Sequence, residues 1–474
     1  LSLVEQTLRQ DPTGDYSLLD YSSRDTLRKR VERLARRLHV PENLIAEQII
    51  KLTNQHLEQS QHDDNKGEEL PRQAFIPYYL LESRGIQQLQ RELRTCSKPK
   101  SIPEEGIWKR ATGTYFNFLI VSYVVFLIGF IVWIGSGAQL TAFDLLLMVV
   151  LLSFPALEWA TVWMHGLIEW SKHPTPLLRY DFSNGITADA KTMVVIPVIW
   201  STTEEVHEMM DRLELHYLVS RDPNIHFALL GDYKDSDSEH HPEDQAVIEA
   251  ARSRIEKFNN IYPGNFFHLY HRRRLWNPSE GKWMGWERKR GKLVEFIELL
   301  VGKEDTSFNY SLTDRSGLTQ IRYIITLDAD TQLPPGSPQR MIGTIHLPYN
   351  RPRMNSAGTR VIEGYGILQP RIAMSYEAAN RSRLAYLWSG ETGVDPYAFA
   401  VSDPYQDGLG QGIFTGKGIF DVHAFADLIC DRIPENRVLS HDLLEGGFLR
   451  TGLLSDIELI DGHPAFYSTY QMRL

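Results

Sequence analysis

Residues Ile321 to Pro334 read IRYIITLDADTQLP, a short apolar run that passes without a break into Asp328-Ala329-Asp330. A run this short, rich in β-branched and aromatic side chains, predicts a buried strand. Two carboxylates one residue apart at its end reach the same hard divalent cation, and such a cation neutralises a diphosphate leaving group. Asp328 and Asp330 are therefore the candidate metal ligands. An acidic turn is the plainer alternative, against which the position at a strand end weighs. A phosphoryl-transfer aspartate is a second one. Those sites want Thr or Val two places after the second Asp, where Gln332 stands, and they open their domain with the motif, whereas three apolar runs precede it here.

Those earlier runs are Met193–Ile199, Ile225–Leu230 and Phe266–Tyr270, separated and followed by helix-like segments at Thr203–Val219, Glu243–Asn259 and Glu287–Val301. Strand and helix in alternation predict parallel pairing through right-handed crossovers, hence a doubly wound α/β domain. Ligands bind beyond the carboxyl ends of such strands, so the residues after each run carry the candidate chemistry.

The second run ends as LLGDYKD, which puts Asp232 where a carboxylate accepts a hydrogen bond from a base or ribose; a solvated acidic loop is the alternative. HRRRLWNPSEGKWMGWERKRGKLVEF follows, basic and aromatic, and leads into a helix. Arg290 and Lys292 at that helix start suit phosphate oxygens, with the helix dipole adding to them, unless they are only a basic surface. GLGQGIFTGKGIFDVHAF is glycine-rich, but its spacing is Gly-x-Gly-x-Gly and no strand leads into it, which excludes a dinucleotide fingerprint. In RVLSHDLLEGGFLRTG, Asp442 is the candidate general base for a transfer that must deprotonate an acceptor hydroxyl, with a helix cap as the alternative. His441 beside it suits a phosphate or pyranose oxygen, or packs inside.

Tyr115–Ile134, YFNFLIVSYVVFLIGFIVWI, holds no charge and is long enough to cross a hydrocarbon core of roughly 30 Å. A second run from Leu145 to Leu157, interrupted by Pro155 and ended by Glu158, spans if Gly137–Phe143 is added. The joint GSGAQLTA lacks Lys and Arg, while Arg94, Lys98, Lys100, Lys109, Arg110, Lys172 and Arg179 flank the pair, which places both flanks in the cytoplasm. Before the pair, Leu27, Val31, Leu34 and Leu38 recur at helical spacing behind Ser22-x-x-Asp25. Pro41 ends that helix, a second follows through Ile45, Ile49 and Leu52, and Gln59–Glu69 reads as a loop. The 474 residues predict more than one unit: helical 1–110, a transmembrane hairpin 111–170 and an α/β domain 180–474. Beginning at Leu1 and stopping at Leu474, the chain reads as a fragment of something larger. A net charge of -10 excludes a general affinity for nucleic acid, and Cys96 and Cys430 form no metal-ligand spacing or disulfide framework.

Taken in order, LLGDYKD, RLWNPSEGKWMGWERKRGKL, ITLDADTQLP, YQDGLGQGIFTGKGIFDVHAF and RVLSHDLLEG resemble the glycosyltransferase segment of cyclic β-1,2-glucan synthases, over most of residues 180–474. RDTLRKRVERLARR and YYLLESRG are similar as well. The resemblance implies a GT-A nucleotide-diphosphosugar fold, a Rossmann-like parallel sheet, UDP-glucose as donor, Mg²⁺ or Mn²⁺ at Asp328 and Asp330, and a β-glucan acceptor chain. It implies a multi-pass protein of the bacterial inner membrane whose catalytic domain faces the cytoplasm. By resemblance to processive membrane transferases, Ser440-His441-Asp442 stands where a Thr-Glu-Asp base motif lies, with His441 replacing the Glu. Phe414, Thr415 and Gly416 fall where an acceptor-binding loop is expected. A Gln-x-x-Arg-Trp motif and the phosphorylase module of such synthases do not occur in these residues. Another processive synthase, of the cellulose or chitin kind, and a silent nucleotide-sugar sensor are the competing readings.

Overall fold

The computed structural model describes residues 2–61, 70–96, 111–137, 141–171, 176–311, 319–388, 405–406, 410–438 and 441–462. It divides into two compact units, one of Leu1–Lys100, Pro176–Ala400 and Gly412–Leu474, the other of Ser101–Thr175 and Val401–Gln411.

In the first unit, α1 (Tyr21–Leu38) buries Leu27, Val31, Leu34 and Leu38 on one face, as their spacing predicts. Its cap differs from the expectation: the Asp20 carboxylate, not Ser22, accepts from the Ser23 amide at 2.7 Å. An acceptor just outside the first turn meets the unpaired amides there, and Asp20 stands at that position whereas Ser22, two residues on, lies inside the helix. His39 turns left-handed at φ 57° to stop the helix, and α2 (Glu42–Gln61) begins after Pro41. That helix carries Gln59–Gln61, expected as loop, while residues 62–69 lie outside the described residues.

The second unit holds α3 (Ala111–Gly135) and α4 (Ala142–Ser171), both long and apolar enough to cross a membrane. Their outer side chains are bare, Trp133 at 75% and Phe154 at 78% exposure, which suits lipid rather than a protein core. Helix α4 runs straight through Pro155 and Glu158, where the sequence pattern suggested an interruption and an end. Proline removes one amide from the ladder and leaves the rest intact, so a long apolar helix survives it. Tyr115, Met164 and Ile168 pack between the two helices, and the Tyr405 ring lies 5.4 Å from that of His165. The flanking Lys98, Lys100, Lys109, Arg110 and Lys172 lie outside the described residues.

Returning to the first unit, β1 (Thr192–Trp200), β2 (Ile225–Tyr233), β3 (Phe267–Arg272), β4 (Phe308–Ser311), β5 (Tyr323–Thr326), β6 (Ile367–Met374), β7 (Gly418–Asp421) and β8 (Thr451–Asp461) form one eight-stranded sheet in the order β8-β6-β7-β5-β1-β2-β3-β4. Helices α5 (Thr203–Val219), α6 (Asp244–Ile261) and α7 (Arg288–Leu300) follow β1, β2 and β3 in the chain. Accordingly β5, β1, β2 and β3 pair in parallel, as their alternation with helices predicts. Helices still alternate with strands beyond β5, but β7 is inserted antiparallel between β5 and β6 and β4 pairs antiparallel with β3, so the sheet is mixed rather than wholly parallel. Helix α5 is entered through a capping box: the Thr202 hydroxyl accepts from the Glu205 amide, and Glu205 accepts from the Thr202 amide.

Arg179 joins the N-terminal helices to the sheet. Its buried guanidinium donates at 2.7 Å to Asp20, the cap of α1, and at 2.7 Å to Asp456 on β8. Replacing one member of such a partly wet bridge costs less than the roughly 3–5 kcal/mol of a fully buried pair. Arg179→Met is expected to loosen residues before 100 by about 2 kcal/mol, read as faster limited proteolysis there while the sheet stays protected.

Candidate active site

Every strand of the parallel block ends on the same edge, and the charges gathered there cannot all be left bare. At the end of β2, Asp232 is 3% exposed. It accepts from both Nε and Nη2 of Arg272, each at 2.8 Å, and lies 3.0 Å from the Lys292 ammonium. Lys292 also donates at 2.6 Å to the Val198 carbonyl at the end of β1. Burial alone raises the Asp232 carboxyl, but the two cations outweigh it and hold it below the usual range. Burial pushes Lys292 down to about 8 against the pull of Asp232. Gly285 is required beside this cluster, because a Cβ there would stand 2.6 Å from the Asp232 carboxylate. Arg290, expected with Lys292 to face phosphate, instead pairs with Glu287 at 2.6 Å and donates to the Ile433 carbonyl.

At the end of β5, Asp328 meets two lysines. Lys289 reaches one oxygen at 2.6 Å and Lys417 the other at 3.2 Å. Burial works to raise this carboxyl too, and the two ammonium groups overcome it and lower it. Lys417 further pairs with Asp461 at the end of β8, which also accepts from the Thr331 hydroxyl at 2.6 Å. Lys289 lies 3.3 Å from the Gly416 carbonyl, so the glycine-rich loop is drawn to the metal motif.

That loop carries the site across to Asp442. Gly416 sits at φ 89°, and a Cβ on it would lie 3.0 Å from an Asp442 carboxylate oxygen. Only glycine lets the loop backbone come this close to the carboxylate. Asp442 opens α8 (Asp442–Leu449), and His441 precedes it as the N-cap position without a side-chain cap. The His441 Nδ1 stands 2.7 Å from Glu445 and 3.5 Å from Asp442. Of the expected acceptor loop, Thr415 donates through its amide to Gln369 at 2.9 Å, while the Phe414 side chain belongs to the hydrophobic core.

The chain matches no protein-family model. Across its whole length it is 37% identical, over 493 aligned residues, to the protein "Cyclic beta-(1,2)-glucan synthase NdvB" of Rhizobium meliloti (strain 1021). By sequence it corresponds to a cyclic glucan synthase segment. It spans 16% of that synthase's length.

Within this synthase segment a cavity of about 600 Å³ opens beside the metal motif, lined by residues 197–200 of β1, by Glu205, Glu208 and Arg212 of α5, and by Asp328, Ala329 and Asp330. Arg212 closes one wall by donating to the Ala329 carbonyl at 2.6 Å. The structure thus brings Asp328 and Asp330 to one cavity and joins Asp328 to Asp442 through Lys289 and Gly416. Oxygen donors beside open space fit a hard dication such as Mg²⁺ or Mn²⁺. Asp232 and Lys292 stand behind that cavity as a closed ion cluster. Sequence reasoning missed Arg272, Lys289, Lys417, Asp461 and Glu445. Lys289 and Lys292, three apart in a helix, share a face, which was a usable signal; Asp461 left none.

Asp232→Asn leaves Arg272 and Lys292 together in a dry place, with Glu295 3.7 Å from Arg272 as the remaining counter-charge. A loss of about 3–5 kcal/mol is expected, seen as a lower unfolding temperature in detergent. The double variant Asp232→Asn, Lys292→Met should recover part of it by removing the uncompensated ammonium.

Proposed function

We propose that the chain is the catalytic part of an inverting, membrane-bound glucosyltransferase that takes glucose from UDP-glucose and adds it to a growing β-1,2-glucan. The observation that carries the reading is the chain of contacts from Asp328 through Lys289 and Gly416 to Asp442, beside one open cavity. A carboxylate suited to a dication and a candidate proton acceptor thus approach the same lysine and glycine, which supports the reading, and the relative's printed name suggests the polymer.

In this reading the cavity takes the nucleotide sugar and Lys289 and Lys417 turn toward the departing diphosphate, whose charge develops as the glycosidic bond to it breaks. A dication held by Asp328 and Asp330, when bound, supplies further charge neutralisation. Asp442 accepts the proton of the attacking 2-hydroxyl, and the sugar carbon inverts because acceptor and leaving group stand on opposite sides. The two long apolar helices anchor the enzyme in the bacterial inner membrane, with the sheet domain in the cytoplasm. The rest of a longer synthase, including a phosphorylase module, lies outside these residues.

General-base removal typically costs 10²–10⁴-fold in rate. Membranes carrying the protein, given labelled UDP-glucose and Mn²⁺, are expected to transfer or hydrolyse glucose. Asp442→Asn should lower that by about 100-fold or more with donor binding kept, and Asp328→Asn should lose donor binding as well. UDP binding without turnover in the unaltered protein would favour the sensor.

A further inference from the structure

The base motif expected here has a glutamate before its aspartate, and this chain has His441. One helical turn on, α8 brings a different carboxylate to the same place. Glu445 is 3% exposed, and its Oε1 lies 2.7 Å from His441 Nδ1, inside hydrogen-bond range. The Asp442 oxygen is 3.5 Å from that same nitrogen, beyond it. An imidazole carries at most one proton on Nδ1, so the nearer carboxylate takes it. The titratable and charged neighbours of the pair are Glu287 just before α7, Lys289 in α7, Cys430, and Asp442 from α8 itself. Burial raises the Glu445 carboxyl, against the hydrogen bond with His441, which lowers it.

We propose that Glu445 is a positioning residue for the transfer: it holds the His441 Nδ1–H away from Asp442 and so leaves the oxygens of Asp442 open to the acceptor hydroxyl. A carboxylate that receives a hydrogen bond is a weaker base, because the bond favours its charged form. If Glu445 let go, the imidazole N–H would turn to Asp442 and blunt it. The proton balance of the reaction is unchanged: it passes from the acceptor oxygen to Asp442, the electron pair of the broken bond leaves with the diphosphate, and the His441–Glu445 pair keeps its own proton throughout. The inference rests on the transferase reading and names the device that keeps its base free.

The pH dependence of transfer separates this from a purely structural role. Glu445→Gln keeps a carbonyl acceptor at Nδ1 and is expected to stay within about threefold of the unaltered enzyme. Glu445→Met should lower kcat about 10–100-fold, the range seen when an orienting outer partner is lost, with the KM for donor little changed. Its acidic limb should move to lower pH, since Asp442 then carries the imidazole hydrogen bond. Removing the imidazole as well, in Glu445→Met with His441→Leu, should return that limb toward its original position. A Glu445→Met enzyme whose limb does not move, or a double variant whose limb stays where the single one put it, overturns the proposal. Full transfer by Asp442→Asn would instead overturn the assignment of the base, a separate result.

Discussion

The first turn of α7 organises the charged edge where the parallel strands end. Lys289 and Lys292, three residues apart, project from one side of it, and each serves a different strand: Lys289 the Asp328 carboxylate after β5, Lys292 the Asp232 carboxylate after β2. An isolated carboxylate as buried as Asp232 costs several kcal/mol and the partly exposed Asp328 less, and one helix steadies both strand ends by bringing a cation to each. Parallel pairing makes this possible. Register opposite Thr192 aligns Ile225 of β2 and Tyr323 of β5, which fixes where the three strands run out.

From that constraint two kinds of charged site arise within a few residues. The Asp232 cluster is shut: Arg272 is 0% exposed, its guanidinium is spent on Asp232 and on the Trp286 and Arg288 carbonyls, and Lys292 is tied to Val198. It sets the shape of the edge. The Asp328 cluster is open: its carboxylate is about a third exposed, borders the cavity, and is neutralised by lysines on long flexible stems that can turn to another anion. Under the proposed transfer, a site that receives and releases a diphosphate needs the second arrangement, supported by the first.

The apolar helix pair obeys other physics. Residues 113–135 and 142–168 present bare hydrocarbon outward, and helix there needs no protein neighbour because its backbone groups are satisfied within it. Segment 405–406 belongs to that unit although it lies far along the chain, through Tyr405 against Tyr115 and His165. The glycine-rich loop therefore begins in one unit and ends in the other.

Local pattern picked out β1, β2, β3 and β5, the helices that follow the first three, and the two apolar spans, because burial on both faces and strand–helix alternation are written in short windows of residues. It also picked out Asp328, Asp330 and Asp442, whose types and places at element ends are informative alone. Tertiary structure alone decided which cation meets which carboxylate. Lys289 rather than Arg290 reaches Asp328, Lys417 bridges to Asp461, and Glu445 rather than Asp442 comes within hydrogen-bond range of His441. The two lysine pairings join residues 39 and 44 positions apart, and Thr331 meets Asp461 across 130. Electrostatic pairing acts through space at a few ångströms, and beyond a single helical turn, as for His441 and Glu445, spacing along the chain carries no record of it.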